Sequence, residues 1–281
     1  MSRLFKGTML TLFILTLVFT AFDLGVSNRL YNPSNGFAIW MGAFSYVPTY
    51  FIVVIALMVM TRFLMLRFVK YRLPLFLLGM LGAGILFTIF GLKLYDYVVN
   101  PWWTILAVSF LILVSSLGIA WDIAKERVRP ATRVSAVVLT SYALILGVVM
   151  GIKPLWGRAR YYGILHEDGE FSLWFIPQGL ASSNVFQAFP SGHVAFAAFL
   201  IVLVLVPLVY LEKRKWLYPT FALVGIWMVL TALSRIMTGS HFVTDTTVSA
   251  LLAVAIVYFS RPIAEKLLDY VIKKSEPYTN H

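Results

Sequence analysis

The sequence predicts an all-α protein, a polytopic bundle that crosses a membrane about eight times. Three observations lead there. Of its 281 residues, 60% are hydrophobic and only 12% charged, and the mean hydropathy is +0.85, which is too apolar for an ordinary soluble domain. The apolar residues gather into runs near the roughly 20 residues that an α-helix needs to cross a bilayer. The cations sit in the loops between runs, and mostly in alternate loops.

The runs lie near residues 8–22, 42–61, 73–92, 102–120, 134–152, 193–210, 217–234 and 243–260. The first follows Arg3 and Lys6 and meets no small-x-small cleavage site before Asp23, so it reads as an uncleaved span and not as a signal peptide. The second and third are parted by the basic stretch Arg62 to Arg72, the fourth and fifth by Lys125 to Arg133, and the sixth and seventh by Lys213 to Lys215. The eighth stops at Arg261, beyond which Ile263, Leu267, Leu268 and Val271 among charges suit a short amphipathic helix on the membrane surface. Residues 1–133 form four N-terminal spans, 134–260 a second unit with an outer loop at 153–192, and 261–281 a cytoplasmic tail.

Loop charge sets the orientation, because cytoplasmic loops carry the excess Lys and Arg. Only Arg29, Lys93, Lys153, Arg158, Arg160 and Arg235 fall on one side, which leaves 17 of the 23 cations on the other. Both termini are then cytoplasmic. The net charge of +11 is explained by this asymmetry, and without a Lys/Arg stripe or a nucleic-acid motif it does not point to nucleic acid. The absence of cysteine excludes disulfides, a thiolate nucleophile and Cys-ligated metal.

Three clusters carry chemistry: Lys153 with Arg160, then Phe189-Pro190-Ser191-Gly192-His193, then Ser234-Arg235 with His241 and Asp245. Taken singly, each has a plain alternative. Lys153, Arg158 and Arg160 just past a span read equally as snorkelling interfacial anchors. Ser191 reads as an N-cap. His241 and Asp245, one helical turn apart, read as an interfacial pair or as half of a metal site, although the only other histidines are His166, His193 and His281. Taken together they gain weight from topology. Lys153 ends the fifth span, His193 begins the sixth, Arg235 ends the seventh and His241 begins the eighth, so all four span ends share the outer face. Three cations there can neutralise a phosphoryl group, and a helix start at Gly192 offers free N–H groups to an anion.

The order K-x6-R, P-S-G-H, S-R-x5-H-x3-D resembles the three signatures of the type 2 phosphatidic acid phosphatase superfamily, whose members include vanadium haloperoxidases. The resemblance covers roughly residues 134–260 and implies a membrane lipid phosphatase of the cell envelope, in a bacterial-type plasma membrane, with a six-span core preceded by two extra spans. It implies that His241 attacks phosphorus, that His193 acts as acid and then base, and that Asp245 orients His241. Lys153, Arg160, Arg235, Ser191 and Gly192 would hold the phosphate oxygens, with Arg158 and Ser234 as accessory residues. No cofactor or metal is implied. The expected substrate is a phosphate or diphosphate monoester of a bilayer lipid, such as phosphatidic acid, phosphatidylglycerol phosphate or undecaprenyl diphosphate. A lipid phosphotransferase using the same intermediate and a non-catalytic lipid-binding or transport protein are the alternatives. One departure is Tyr161, where the family has proline. The long loop between Arg160 and Pro190 carries Phe171, Trp174 and Phe175 and is expected to lie over the outer leaflet as a lid.

Overall fold

The computed structural model describes residues 2–95, 101–209 and 211–274. Tyr210 at the end of the expected sixth span, the side chains of Lys93 and Lys213, and residues 275–281 with His281 lie outside that description. The described residues form helices and loops with no strand.

Among the described residues twelve α-helices occur. They are α1 (Ser2–Thr20), α2 (Asp23–Leu30), α3 (Gly36–Phe44), α4 (Val47–Arg67), α5 (Arg72–Tyr95), α6 (Pro101–Asp122), α7 (Lys125–Trp156), α8 (Tyr161–His166), α9 (Gly192–Phe199), α10 (Leu205–Val209), α11 (Leu217–Met237) and α12 (Val243–Lys274). Seven segments among the described residues are long and apolar enough to cross a membrane. Their outward surfaces are apolar: Leu73, Leu77, Leu78 and Leu81 on α5, and Leu106, Phe110 and Leu111 on α6, are all more than half exposed. So wide an apolar surface is solvated by lipid and not by water.

The expected count of eight is not confirmed, because residues 192–209 form α9, a 3₁₀ stretch and α10 in place of one long α-helix. α9 gives way to a 3₁₀ stretch at Leu200–Val204 before α10, and the apolar helix Gly192–Pro207 is shorter than a full span. It does not face lipid, since Val194 to Val202 are buried. A segment buried in protein looks as apolar in sequence as one that faces lipid, so hydropathy alone does not separate the two. The tail also differs, for α12 runs unbroken past Arg261 to Lys274 with Pro262 inside it. The two short helices α2 and α3, between the first and second expected spans, were not foreseen.

The core sets the site. α12 packs on α7, α1 and α9, and α4 packs on α7, with Tyr50, Tyr142, Ile145, Phe196, Phe199 and Val254 among the residues at the centre. α9 is therefore held between α7, α11 and α12 with its N-terminus fixed at the end of the bundle where α7 and α11 finish and α12 begins.

Candidate functional site

α7 ends in a left-handed turn at Gly157, whose φ is 64°. A Cβ there would lie 2.5 Å from the Gly179 carbonyl oxygen, so only glycine lets the chain turn this tightly. The last carbonyls of α7 are satisfied by the returning loop, Pro154 O by Ala181 N at 2.8 Å and Trp156 O by Gln178 N at 2.7 Å. Past the turn, residues 158–160 pair with 185–188: Arg160 N donates to Val185 O at 2.8 Å and Ala188 N to Arg158 O at 3.0 Å. This pairing sets Arg160 beside Asn184, to whose Oδ1 it donates at 2.7 Å. A second left-handed glycine, Gly239 with φ 68°, turns the chain from α11 into α12 and delivers His241.

One cavity of about 170 Å³ collects the result, lined by Tyr46, Met150, Lys153, Arg160, Asn184, Gln187, Gly192, His193, Arg235, Ser240 and His241. It holds three cations and two imidazoles, and no carboxylate lines it. Its volume is several times the roughly 30 Å³ share of one water, enough for a phosphoryl group. Lys153 donates to Gln187 O at 2.9 Å. Arg160 Nε is buried with no hydrogen-bond partner among the described residues, a donor left for an anion.

His241 is 3% exposed. Its Nδ1 lies 2.5 Å from Ala188 O, and a carbonyl only accepts, so Nδ1 carries the proton and Nε2 keeps its lone pair. Burial, and then the charges of Lys153, Arg160, His193 and Arg235, hold its pKa well below the usual histidine value and keep the ring neutral. His193 stacks on Tyr46 with ring centroids 4.3 Å apart. Its Nε2 lies 3.2 Å from Gly42 O and 3.3 Å from Arg235 Nη1. One nitrogen cannot serve both, because the carbonyl needs a proton on it and the guanidinium needs a lone pair. The two protonation states of Nε2 thus each have a partner, which suits a group that gives and takes a proton.

Four residues expected at the site lie outside the cavity lining. Ser191 is fully buried, caps α9 by accepting from Val194 N, and spends its own N–H on Ser249 Oγ at 2.6 Å. Ser234 donates to Thr231 O within α11. Asp245 does not hold the His241 ring, since Nδ1 to Oδ2 is 3.9 Å, too long for a hydrogen bond; the Ala188 carbonyl takes that place. Asp245 instead accepts from Phe242 N at 2.8 Å and Arg158 Nη1 at 2.5 Å. Arg158 is wholly buried, and its Nη2 reaches Asp23 Oδ2 at 2.8 Å. Nor are Phe171 and Trp174 parts of a free lid. Phe171 packs on Phe242, and Trp174 stacks near Phe189 and donates to Thr20 Oγ1 at 2.9 Å.

Residues 134–268 match the family model of the PAP2 superfamily. This match, over just under half of the chain, supports the resemblance to the type 2 phosphatidic acid phosphatase superfamily. No curated protein and no solved structure matches the chain.

The PAP2 segment contains all three clusters and ten of the eleven cavity residues, from Met150 to His241, whereas Tyr46 and the Gly42 carbonyl that His193 meets come from outside it. Asp23 also lies outside it. Sequence reasoning missed these, along with Asn184, Gln187 and Ala188. The backbone carbonyls left no trace in residue type, but Asp23 did, because a carboxylate at the end of an apolar run is costly unless it is used. In the PAP2 segment Tyr161 has a specific job. It is buried, donates to Asn28 Oδ1 on α2 at 2.8 Å, and sets its ring against Tyr31 and Phe242. Among the described residues no three His, Asp or Glu side chains gather as a metal site.

Proposed function

We propose that the protein is a membrane phosphatase that removes a terminal phosphate from a bilayer lipid on the outer face, through a phosphohistidine on His241. The observation that carries this reading is the cavity that sets three cations and two imidazoles together without a carboxylate. A phosphate monoester dianion entering it meets Lys153, Arg160 and Arg235, which offset the charge of the equatorial oxygens, and phosphoryl transfer depends mostly on such stabilisation. The Nε2 lone pair of His241 attacks phosphorus as the bond to the lipid oxygen breaks, and His193 gives that oxygen its proton. Water then attacks phosphorus, His193 takes the water's proton, the N–P bond breaks, and inorganic phosphate leaves with His241 restored.

Phosphatidic acid, phosphatidylglycerol phosphate and undecaprenyl diphosphate share the chemistry this cavity accepts. Loop charge puts the cavity end of the bundle outside and both termini in the cytoplasm. The test is phosphate release from these three lipids by purified wild type and His241→Ala, with and without EDTA. Release by wild type alone, unchanged by EDTA, is expected. Release by neither protein, with the phosphoryl group found instead on an added acceptor lipid, means a transferase. Loss of release on adding EDTA means that a metal takes part.

A further inference from the structure

Asp23 opens α2, in a part of the chain that precedes the family segment by more than a hundred residues, yet its carboxylate accepts three hydrogen bonds from residues of that segment. It is 2% exposed. Its Oδ1 accepts from the backbone N–H of Thr244 at 2.9 Å, and its Oδ2 accepts from Arg158 Nη2 at 2.8 Å and from the Thr244 hydroxyl. Thr244 is the second residue of α12, so Asp23 caps that helix from a distant element. It satisfies one of the N–H groups a helix leaves open at its start and adds the negative charge favoured there. Asp245 satisfies Phe242 N at the same helix end, and Arg158 bridges the two carboxylates. Thr244 Oγ1 also accepts from Arg158 Nη1 at 3.0 Å. His241 stands two residues before this clamped end.

The rest of the N-terminal segment is tied to the same place. Asn28 accepts from Tyr161, Asn32 N donates to Met237 O at 2.8 Å, and Gly239, whose missing Cβ would sit 2.7 Å from the Tyr31 ring, lets Tyr31 close on the turn before His241. Asp23 itself does not line the phosphate cavity.

We propose that Asp23 is a positioning residue for the reaction, clamping the start of α12 through Arg158 and Thr244 so that His241 Nε2 stays aimed into the cavity. This rests on the phosphatase reading above. Because Asp23 touches no cavity atom, its loss acts on turnover and leaves substrate binding alone. Because it acts through Arg158, its effect depends on that residue. Once Arg158 is gone, Asp23 and Asp245 are two buried carboxylates without their cation, and neutralising one of them relieves the site.

The experiment measures kcat and KM in mixed micelles, for whichever of the three lipids wild type hydrolyses fastest, per folded protein by gel filtration, for wild type, Asp23→Asn, Arg158→Gln and the double variant. Asp23→Asn is expected to lower kcat about tenfold or more, as a small misplacement of a reacting group does, with KM within about twofold. In the Arg158→Gln background the same change is expected to leave kcat equal or raise it, which a general loss of folding would not produce. If Asp23→Asn yields no folded protein, Arg158→Gln and the double variant decide, and a double variant less active than Arg158→Gln overturns the proposal. A folded Asp23→Asn with wild-type kcat, or an equal loss in both backgrounds, also overturns it. A wild type inactive on phosphatidic acid, phosphatidylglycerol phosphate and undecaprenyl diphosphate alike would instead bring down the phosphatase reading on which it rests.

Discussion

Arg158 and Arg160 are two residues apart and chemically identical, but their surroundings predict opposite failures. Arg158→Ala removes a wholly buried guanidinium that bridges Asp23 and Asp245 and lies 4.4 Å over the Phe242 ring. Breaking a buried ion pair from one side costs about 3–5 kcal/mol, because the partner charge is left buried and alone. Here two partners are stranded, so that range is a lower bound. At about 2–4 °C per kcal/mol for a chain of this size, the melting temperature should fall by about 6–20 °C. Arg160→Ala removes a half-buried side chain whose structural partners are the Asn184 amide at 2.7 Å and the Tyr162 ring. Its melting temperature should shift by no more than about 4 °C, given the roughly 0–1 kcal/mol worth of such exposed contacts. Its kcat/KM should fall about 10²- to 10³-fold, as on loss of one donor to a developing oxyanion. Thermal unfolding in detergent, read beside phosphate release, separates the two. A stable Arg158→Ala would refute the bridge, and an active Arg160→Ala would refute the phosphate assignment.

Two further outcomes follow from the cavity. A Cβ on Gly192 would make only ordinary contacts, the nearest being Tyr46 Oη at 3.5 Å, so Gly192→Ala should keep or raise the melting temperature; by intruding where the phosphate approaches, it should still lower kcat/KM, and unchanged kinetics would remove Gly192 from the site. His241 is active when neutral and its pKa lies well below 6.5 through burial and then through Lys153, Arg160, His193 and Arg235. The acid limb of kcat/KM that it governs should therefore fall below pH 6.5, with activity lost as pH drops through the lowered value. Lys153→Gln removes one repelling charge and raises that pKa, so the limb should move to higher pH; a limb that stays fixed belongs to the substrate or to another group.

What was legible in the sequence was chemistry held within short segments. The K-x6-R spacing, the P-S-G-H run and the H-x3-D pair converge on one bundle end as loop charge implied, and Lys153, Arg160, Gly192, His193, Arg235 and His241 do line one cavity. What was not legible depended on partners far apart in the chain. Asp245 lies one turn from His241, and spacing alone cannot tell that Arg158 and Phe242 N claim its oxygens while Ala188 O claims the imidazole. Residues 194–202 are buried in protein, and hydropathy does not separate that from burial in lipid. Tyr161 stands where the family has proline, and only the structure shows that its hydroxyl and ring anchor α2 beside the site.

The proposed mechanism requires a covalent bond between phosphorus and His241. The direct measurement is to mix lipid labelled in its terminal phosphate with protein, quench in alkali, where a phosphohistidine survives, and locate the label by peptide mass. We expect label on the peptide containing His241 in wild type, and none in His241→Ala. Phosphate release by wild type with no label retained on His241, or label retained by His241→Ala, would contradict it.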